Sequence, residues 1–337
     1  MILVTGGTGL LGSHLIHNLV SAGKSVRATY RDSKRIEKVK SLFSFYNTPF
    51  EVFQSIEWVE CDVLDVVTLE EVMTGCEEVY HCAAMVSFQK KDYQTMLRIN
   101  KYGTANVVNI AMGLGVKRFL HVSSTAAVGK TPMDQMGYRS VVESNKWITD
   151  DNHSGYAISK YLSENEVRRG IEEGLNAVII NPSVIIGPGD WNESSLSIFR
   201  TLSKGLKFYT LGANAFVDVR DVVFAMTQLM ERPESFKQSY LCTGSNVTFK
   251  QLFDVAVKQM NRKAPFLVAK SFLSGLAWRV SWLLSLVTGH QTVTKESASS
   301  AQAKVTYDSS KLKKVLDFEF RSLEDTVRHA VEGRLMK

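Results

Sequence analysis

An apolar run at the start of the chain leads straight into the string TGGTGLLG, Thr5 to Gly12, and the residues that follow take up a helical pattern. Glycines at 6, 9 and 12 let the backbone turn sharply out of a strand. They also let a pyrophosphate come close to the helix N-terminus, where free N–H groups and partial positive charge favour an anion. A glycine turn alone is weak evidence, and its weight here comes from the strand before it and the helix after it. The alternative is a plain strand-to-helix connection.

The first half of the chain alternates short β-branched or apolar runs with longer helical patterns. Strands are expected at Ile2–Thr5, Ser25–Tyr30, Glu57–Cys61, Glu78–Cys82, Arg118–Val122 and Ala177–Asn181, each separated by enough chain for a crossover helix. Strands apolar throughout imply a parallel sheet covered on both faces. With right-handed crossovers, that is an α/β fold: a Rossmann-type doubly wound parallel sheet. Residues 1–181 form the expected dinucleotide-binding domain. Residues 182–337 form most of a smaller C-terminal substrate-binding lobe, with 217–231 returning to the first domain. The aromatic stretch 41–55, which contains Pro49, reads as a surface insertion with its own small apolar cluster.

A chain of 337 residues with 45% hydrophobic content can bury one large core and a smaller one. No charged leader with an apolar core precedes the first strand, so a cytoplasmic protein is expected. Cys61, Cys76, Cys82 and Cys242 show no CxxC spacing, which favours reduced thiols over disulfides or a metal site. Net charge is only +6, and the one basic cluster, Arg27 to Lys40, follows the second strand. A cofactor phosphate explains that cluster more economically than nucleic acid does. The most apolar stretch, 271–289, is interrupted by Arg279 and several serines. It reads as a helix packed over the substrate pocket, with interfacial membrane contact as the alternative.

The residues suited to chemistry cluster at expected strand ends. NAD-selective versions of this fold place an acidic residue after the second strand, where it binds the ribose hydroxyls. Here that position is Arg31, whose planar fork of donors suits a 2′-phosphate and favours NADP, although the adjacent Asp32 offers the NAD alternative. Asp62, with Val63 beside it, is placed for the adenine, and Cys82-Ala83-Ala84 supplies small groups for close backbone approach. Tyr156 and Lys160 in YAISK are four residues apart on one helical face. An ammonium beside a phenol, together with an oxidised nicotinamide cation, would lower the tyrosine pKa towards working pH and make it a general acid/base. One of the hydroxyls of Ser123, Ser124 and Thr125, at the end of the fifth strand, is expected to hydrogen-bond the substrate oxygen.

Together these strings resemble the extended short-chain dehydrogenase/reductase family, also called the NAD-dependent epimerase/dehydratase family. The resemblance runs through NPSVIIGPGD at Asn181 to FVDVRDVV at Phe216. It implies that Gly6, Gly9 and Gly12 bind pyrophosphate, Asp62 and Val63 the adenine, and Lys160 the nicotinamide ribose, with Tyr156 as proton donor. It points to Thr125 as the catalytic hydroxyl, with Ser124 as the fallback, and to Asn100 as a supporting group. The expected cofactor site also takes in Leu10, Leu11, Pro182 and Val184, and the expected substrate contacts are Val86, Ser124 and Ser183. The segment VRATYRDSKRIEKVK is similar to that of dihydroflavonol 4-reductase-like members, in which the matching arginine contacts NADP. Dimers built on helices near 92–113 and 154–174 are an implication of the family.

Sugar-nucleotide members of the family usually carry an arginine shortly before F-x-x-V-x-D, and here no basic residue lies between Lys207 and Phe216. The expectation is therefore an NADP-dependent reductase of an aldehyde or ketone on a fairly apolar small molecule, including the steroid-type variant. The alternatives are a nucleotide-sugar epimerase or dehydratase with tightly bound NAD, and a non-catalytic NADP-binding protein.

Overall fold

The computed structural model describes residues 1–148, 153–269 and 295–334. Its strands, in chain order, are β1 (Ile2–Thr5), β2 (Val26–Tyr30), β3 (Glu57–Glu60), β4 (Glu78–His81), β5 (Arg118–Val122), β6 (Arg139–Val141), β7 (Ala177–Pro182), β8 (Val184–Ile186), β9 (Phe208–Tyr209), β10 (Ala213–Asp218), β11 (Ser239–Cys242), β12 (Ser245–Thr248), β13 (Leu267–Val268) and β14 (Val305–Tyr307). Seven of them form the central sheet in the order β11-β7-β5-β4-β1-β2-β3. Every neighbouring pair in that sheet is parallel. Every residue of β1 and β7 is buried, as parallel strands covered on both faces require. The chain runs outward from β1 through β2 to β3, then returns to β4 on the other side. That reversal opens a crevice at the carboxyl ends of β1 and β4, where ligands bind in such sheets.

Successive residues of β1 point to opposite faces. Ile2 and Val4 join the apolar cluster that contains the helix Leu10–Ser21. Leu3 joins the other, with Val107, Val108 and Val167. The helix Val219–Met230 packs into the first cluster through Val222, Met226 and Leu229, all fully buried. Each such side chain contributes roughly 1.5–3 kcal/mol by leaving water. The seventh strand of the sheet, β11, comes from the part of the chain after residue 182 and pairs with β7. Leu312 and Leu316 of the helix Ser310–Leu316 also join the first cluster.

A third cluster, with Trp191, Phe199, Phe216, Leu252, Phe253 and Val327, forms the core beside the small sheet β12-β10-β8. The stretch 41–55 takes in the end of the helix Ile36–Phe45 and the helix Phe50–Gln54. It has no separate apolar cluster: Phe43 is part of the first cluster and Val52 and Phe53 pack on it, with the Phe43 and Phe53 rings edge to face at 5.3 Å. The apolar stretch 271–289, with both its readings, lies outside the described residues. No helix among the described residues is long and apolar enough to cross a membrane.

Candidate active site

The glycine turn is held from both sides. Gly6 has φ 68°, and a Cβ on it would lie 2.8 Å from the Ala83 backbone. Only glycine fits there, and the contact brings Cys82-Ala83-Ala84 against the turn as the sequence suggests. A Cβ on Gly12 would lie 2.3 Å from the Gly6 carbonyl oxygen, so the first helical turn rests directly on the loop. The helix Leu10–Ser21 starts at Gly9 with no side-chain cap and no acidic residue in its first turn. Its leading N–H groups therefore have no competing side-chain anion, which fits a pyrophosphate. Leu11 is buried in the core and Leu10 packs on the lobe cluster, so it is the backbone of these two residues that faces such a ligand.

Behind the turn, Thr5 Oγ1 lies 2.8 Å from His81 Nδ1 and accepts from the Ala83 N–H at 3.3 Å. His81 Nε2 lies 2.9 Å from Thr104 Oγ1. Burial pushes His81 down to about 3, so it stands neutral.

Arg31 follows β2 directly, half exposed, and its guanidinium stands 3.9 Å from the Asp62 carboxylate. Asp32 is engaged elsewhere, accepting from the Lys34 N–H at 3.0 Å as the cap of a short helical turn. Most of the basic cluster is already paired. Arg27 binds Glu57 at 2.8 Å. Lys38 binds Asp190 at 2.8 Å and Glu193, and Arg35 binds Glu193. These pairs tie the segment after β2 to the loop at 190–193, so the cluster is largely a structural seam. Asp62 caps its own loop, accepting from the Leu64 N–H. The Val63 side chain is buried against Gly103, where a Cβ would meet it at 2.5 Å.

The helix Gly155–Glu172 begins at Ser154, whose hydroxyl accepts from the Ala157 N–H. It carries Tyr156 and Lys160 past the end of β5. The Ser124 side chain lies by the Tyr156 hydroxyl and draws its pKa down. Ser124 Oγ also accepts from the Ala126 N–H at 3.1 Å, which fixes its orientation. Thr125, the hydroxyl favoured from the resemblance, begins the turn Thr125–Ala127 that Ser124 caps, and it draws down the pKa of the Tyr307 phenol. Ser123 is directed inward to Glu164 at 2.7 Å.

Burial raises Tyr156, and the Ser124 side chain pulls the other way. Lys160 donates to the Val122 carbonyl at 2.7 Å, and burial pushes it down to about 8. A neutral phenol beside a serine hydroxyl is the form that donates a proton.

Asn100 sits in a π-helical turn, Arg98–Tyr102, a local widening common where a side chain is needed in position. It accepts from the Met85 N–H at 2.8 Å, and its amide donates to the Met85 carbonyl and to Ser159 Oγ, both at 2.9 Å. It thus joins the loop after β4 to the helix bearing Tyr156. On that loop Val86 and Phe88 are exposed, and the Phe88 ring stands 5.9 Å from that of Tyr156. Pro182 ends β7 and Val184 begins β8. Between them the Ser183 hydroxyl is buried without a hydrogen-bond partner. Sequence reasoning missed Glu164 and Tyr307. Glu164 had a readable signal, one further four-residue step from Lys160, whereas Tyr307 had none.

The model of the NAD dependent epimerase/dehydratase family matches residues 2–242. The chain belongs to that family. It is therefore an NAD(P)-dependent oxidoreductase of the extended short-chain dehydrogenase/reductase type. The putative dihydroflavonol 4-reductase of Synechocystis is 28% identical over 97% of this chain and 92% of its own length. Sterol demethylase protein B of Methylococcus capsulatus is 30% identical over 74% of this chain and 71% of its own. Among solved structures, that of gox2253 superposes with a TM-score of 0.78 at 26% identity, covering 99% of this chain and 97% of that one.

Proposed function

We propose that this family member reduces the carbonyl group of a fairly apolar small molecule, with NADPH as the hydride donor. The observation that carries the reading is the convergence of Ser124, Tyr156 and Lys160 beside a glycine turn shaped for a pyrophosphate. The dinucleotide supplies the hydride. Tyr156 gives its proton to the carbonyl oxygen, and Ser124 donates a hydrogen bond to that oxygen as negative charge builds on it. Lys160 holds the nicotinamide ribose and steadies the phenolate that Tyr156 becomes. The glycine turn holds the pyrophosphate, Asp62 and Val63 border the adenine, and Arg31 takes the 2′-phosphate. The preference for NADP is supported by the engagement of Asp32 in capping its own turn.

An apolar substrate is supported by Val86 and Phe88 standing exposed near Tyr156. Two relatives are named for a dihydroflavonol and a sterol, both ring systems. The test is NADPH and NADH oxidation, followed by absorbance, against a panel of apolar aldehydes and ketones, with nucleotide sugars analysed in parallel. Net NADPH oxidation is expected. Interconversion of a sugar nucleotide with no net cofactor change would replace this reading with that of an epimerase.

A further inference from the structure

Tyr156, Lys160 and Glu164 follow one another at four-residue steps along a single helix, so they form one stripe. Lys160 and Glu164 are both almost wholly buried, at 2% and 5% exposure. Glu164 Oε2 accepts from Ser123 Oγ at 2.7 Å and from the Asn181 amide at 2.8 Å. The same Asn181 amide donates to the Ser124 carbonyl at 3.1 Å. Glu164 Oε1 accepts from Arg168 at 2.6 Å, and that arginine side chain is half exposed at the rim. One carboxylate therefore joins the ends of β5 and β7 to the helix that carries the proton donor.

We propose that Glu164 is a positioning residue for the reaction: its charge keeps Lys160 an ammonium, and its bonds to Ser123 and Asn181 fix the strand ends that present Ser124. The proposal rests on the roles given above to Tyr156, Ser124 and Lys160. The groups facing Lys160 are Glu164 on its own helix, His81 and Cys82 at the end of β4, and His121 with the Val122 carbonyl on β5. Burial leaves both histidines neutral and pushes the Cys82 thiol up to about 12. At neutral pH, among the groups facing Lys160, Glu164 is the one that offers a counter-charge. An ammonium out of water without one gives up its proton.

The decisive measurement follows urea unfolding from pH 6 to 11 in the full chain and in Lys160→Met, taking the difference between them to isolate Lys160. A lysine whose folded pKa lies below its unfolded value binds more protons when unfolded, so the difference should climb between about pH 8 and the unfolded lysine value. In the Glu164→Gln background the climb should begin about one pH unit lower, a tenfold change in acidity. Arg168→Gln, at the half-exposed rim, removes the cation that competes for Glu164 and should move the climb upward. It also gives an independent answer if Glu164→Gln does not fold.

Turnover of cinnamaldehyde with NADPH supplies the second readout. Glu164→Gln should lower kcat about tenfold, shift its basic limb to lower pH and leave the KM for NADPH within twofold. An unmoved climb in both variants, or a uniform loss of kcat with no shift in the limb, would overturn the proposal. Absence of wild-type turnover on the whole carbonyl panel would instead count against the reductase reading, while the unfolding result would still decide the role of Glu164.

Discussion

On one face of the sheet, Lys160, Glu164, His81 and His121 are buried around the base of the crevice. On the other face a second buried polar group joins the helix Leu10–Ser21 to the insertion and to the helix Leu323–Glu332. There His14 Nε2 lies 2.9 Å from the Pro188 carbonyl, so it must be the donor. His14 Nδ1 is then the acceptor for the Tyr46 hydroxyl at 3.1 Å, and Tyr46 in turn accepts from His329 Nε2 at 3.2 Å. Burial pushes His14 down to about 3 and His329 to about 4, so this chain of bonds is made of neutral groups. The active-site group differs in kind, because a lysine is retained there out of water, whereas the buried Asp218 beside the second group is paired with the partly exposed Arg220. Buried neutral bonds fix geometry at moderate cost, whereas a buried charge persists only where chemistry uses it or a partner holds it.

The sharpest way to break that contrast is at the phenol. Tyr156→Phe keeps the ring and its packing on Phe88 but removes the proton. Loss of a positioned acid should cost about 10²–10⁴-fold in kcat. Wild-type NADPH turnover by this variant on a verified substrate would remove the chemical role from that face of the sheet. The next largest effect separates adjacent hydroxyls. Ser124→Ala should lower kcat about 10²-fold, while Thr125→Ala should change it less than about threefold. Steady-state kinetics giving the reverse order would make Thr125 the catalytic hydroxyl.

Arg31→Ser should raise the KM for NADPH about tenfold or more and leave that for NADH nearly unchanged, since charge-assisted bonds to a phosphate carry roughly 1.5–3 kcal/mol. Equal losses with both cofactors would show that Arg31 serves only its ion pair with Asp62.

How far the sequence could be read follows from the range of the interactions. The glycine turn, the six expected strands and the Tyr156/Lys160 pair are local patterns whose meaning lies in a few consecutive residues. The choice between Ser124 and Thr125 turns on the backbone turn after β5 and on which hydroxyl it brings to Tyr156, which no run of consecutive residues spells out. The Tyr46 bridge is hidden because it joins three segments spread from residue 14 to residue 329. The basic cluster after β2 was read as a cofactor patch because its partners, Asp190 and Glu193, lie some 150 residues downstream.

The smallest effect on turnover belongs to the neutral cluster. Tyr46→Phe leaves the ring stacked on His17, 4.5 Å between centroids, but strands His14 Nδ1 and His329 Nε2. His329 Nδ1 is already buried without a partner, so the variant has little means of compensation. Unpaired buried groups cost about 1–3 kcal/mol, and urea unfolding at pH 7.5 should show a loss in that range with kcat and KM unchanged. The acid side supplies a second reading. His14 and His329 have folded values below the ordinary 6.5, so the unfolded chain takes up protons first and stability falls as pH drops from 6.5 towards 4. Replacing His14 with Gln, whose amide can donate to Pro188, should flatten that fall by removing one titrating group. If Tyr46→Phe instead lowered kcat at constant stability, the neutral cluster would be coupled to the chemistry across the sheet, and the division of labour between the two faces would fail.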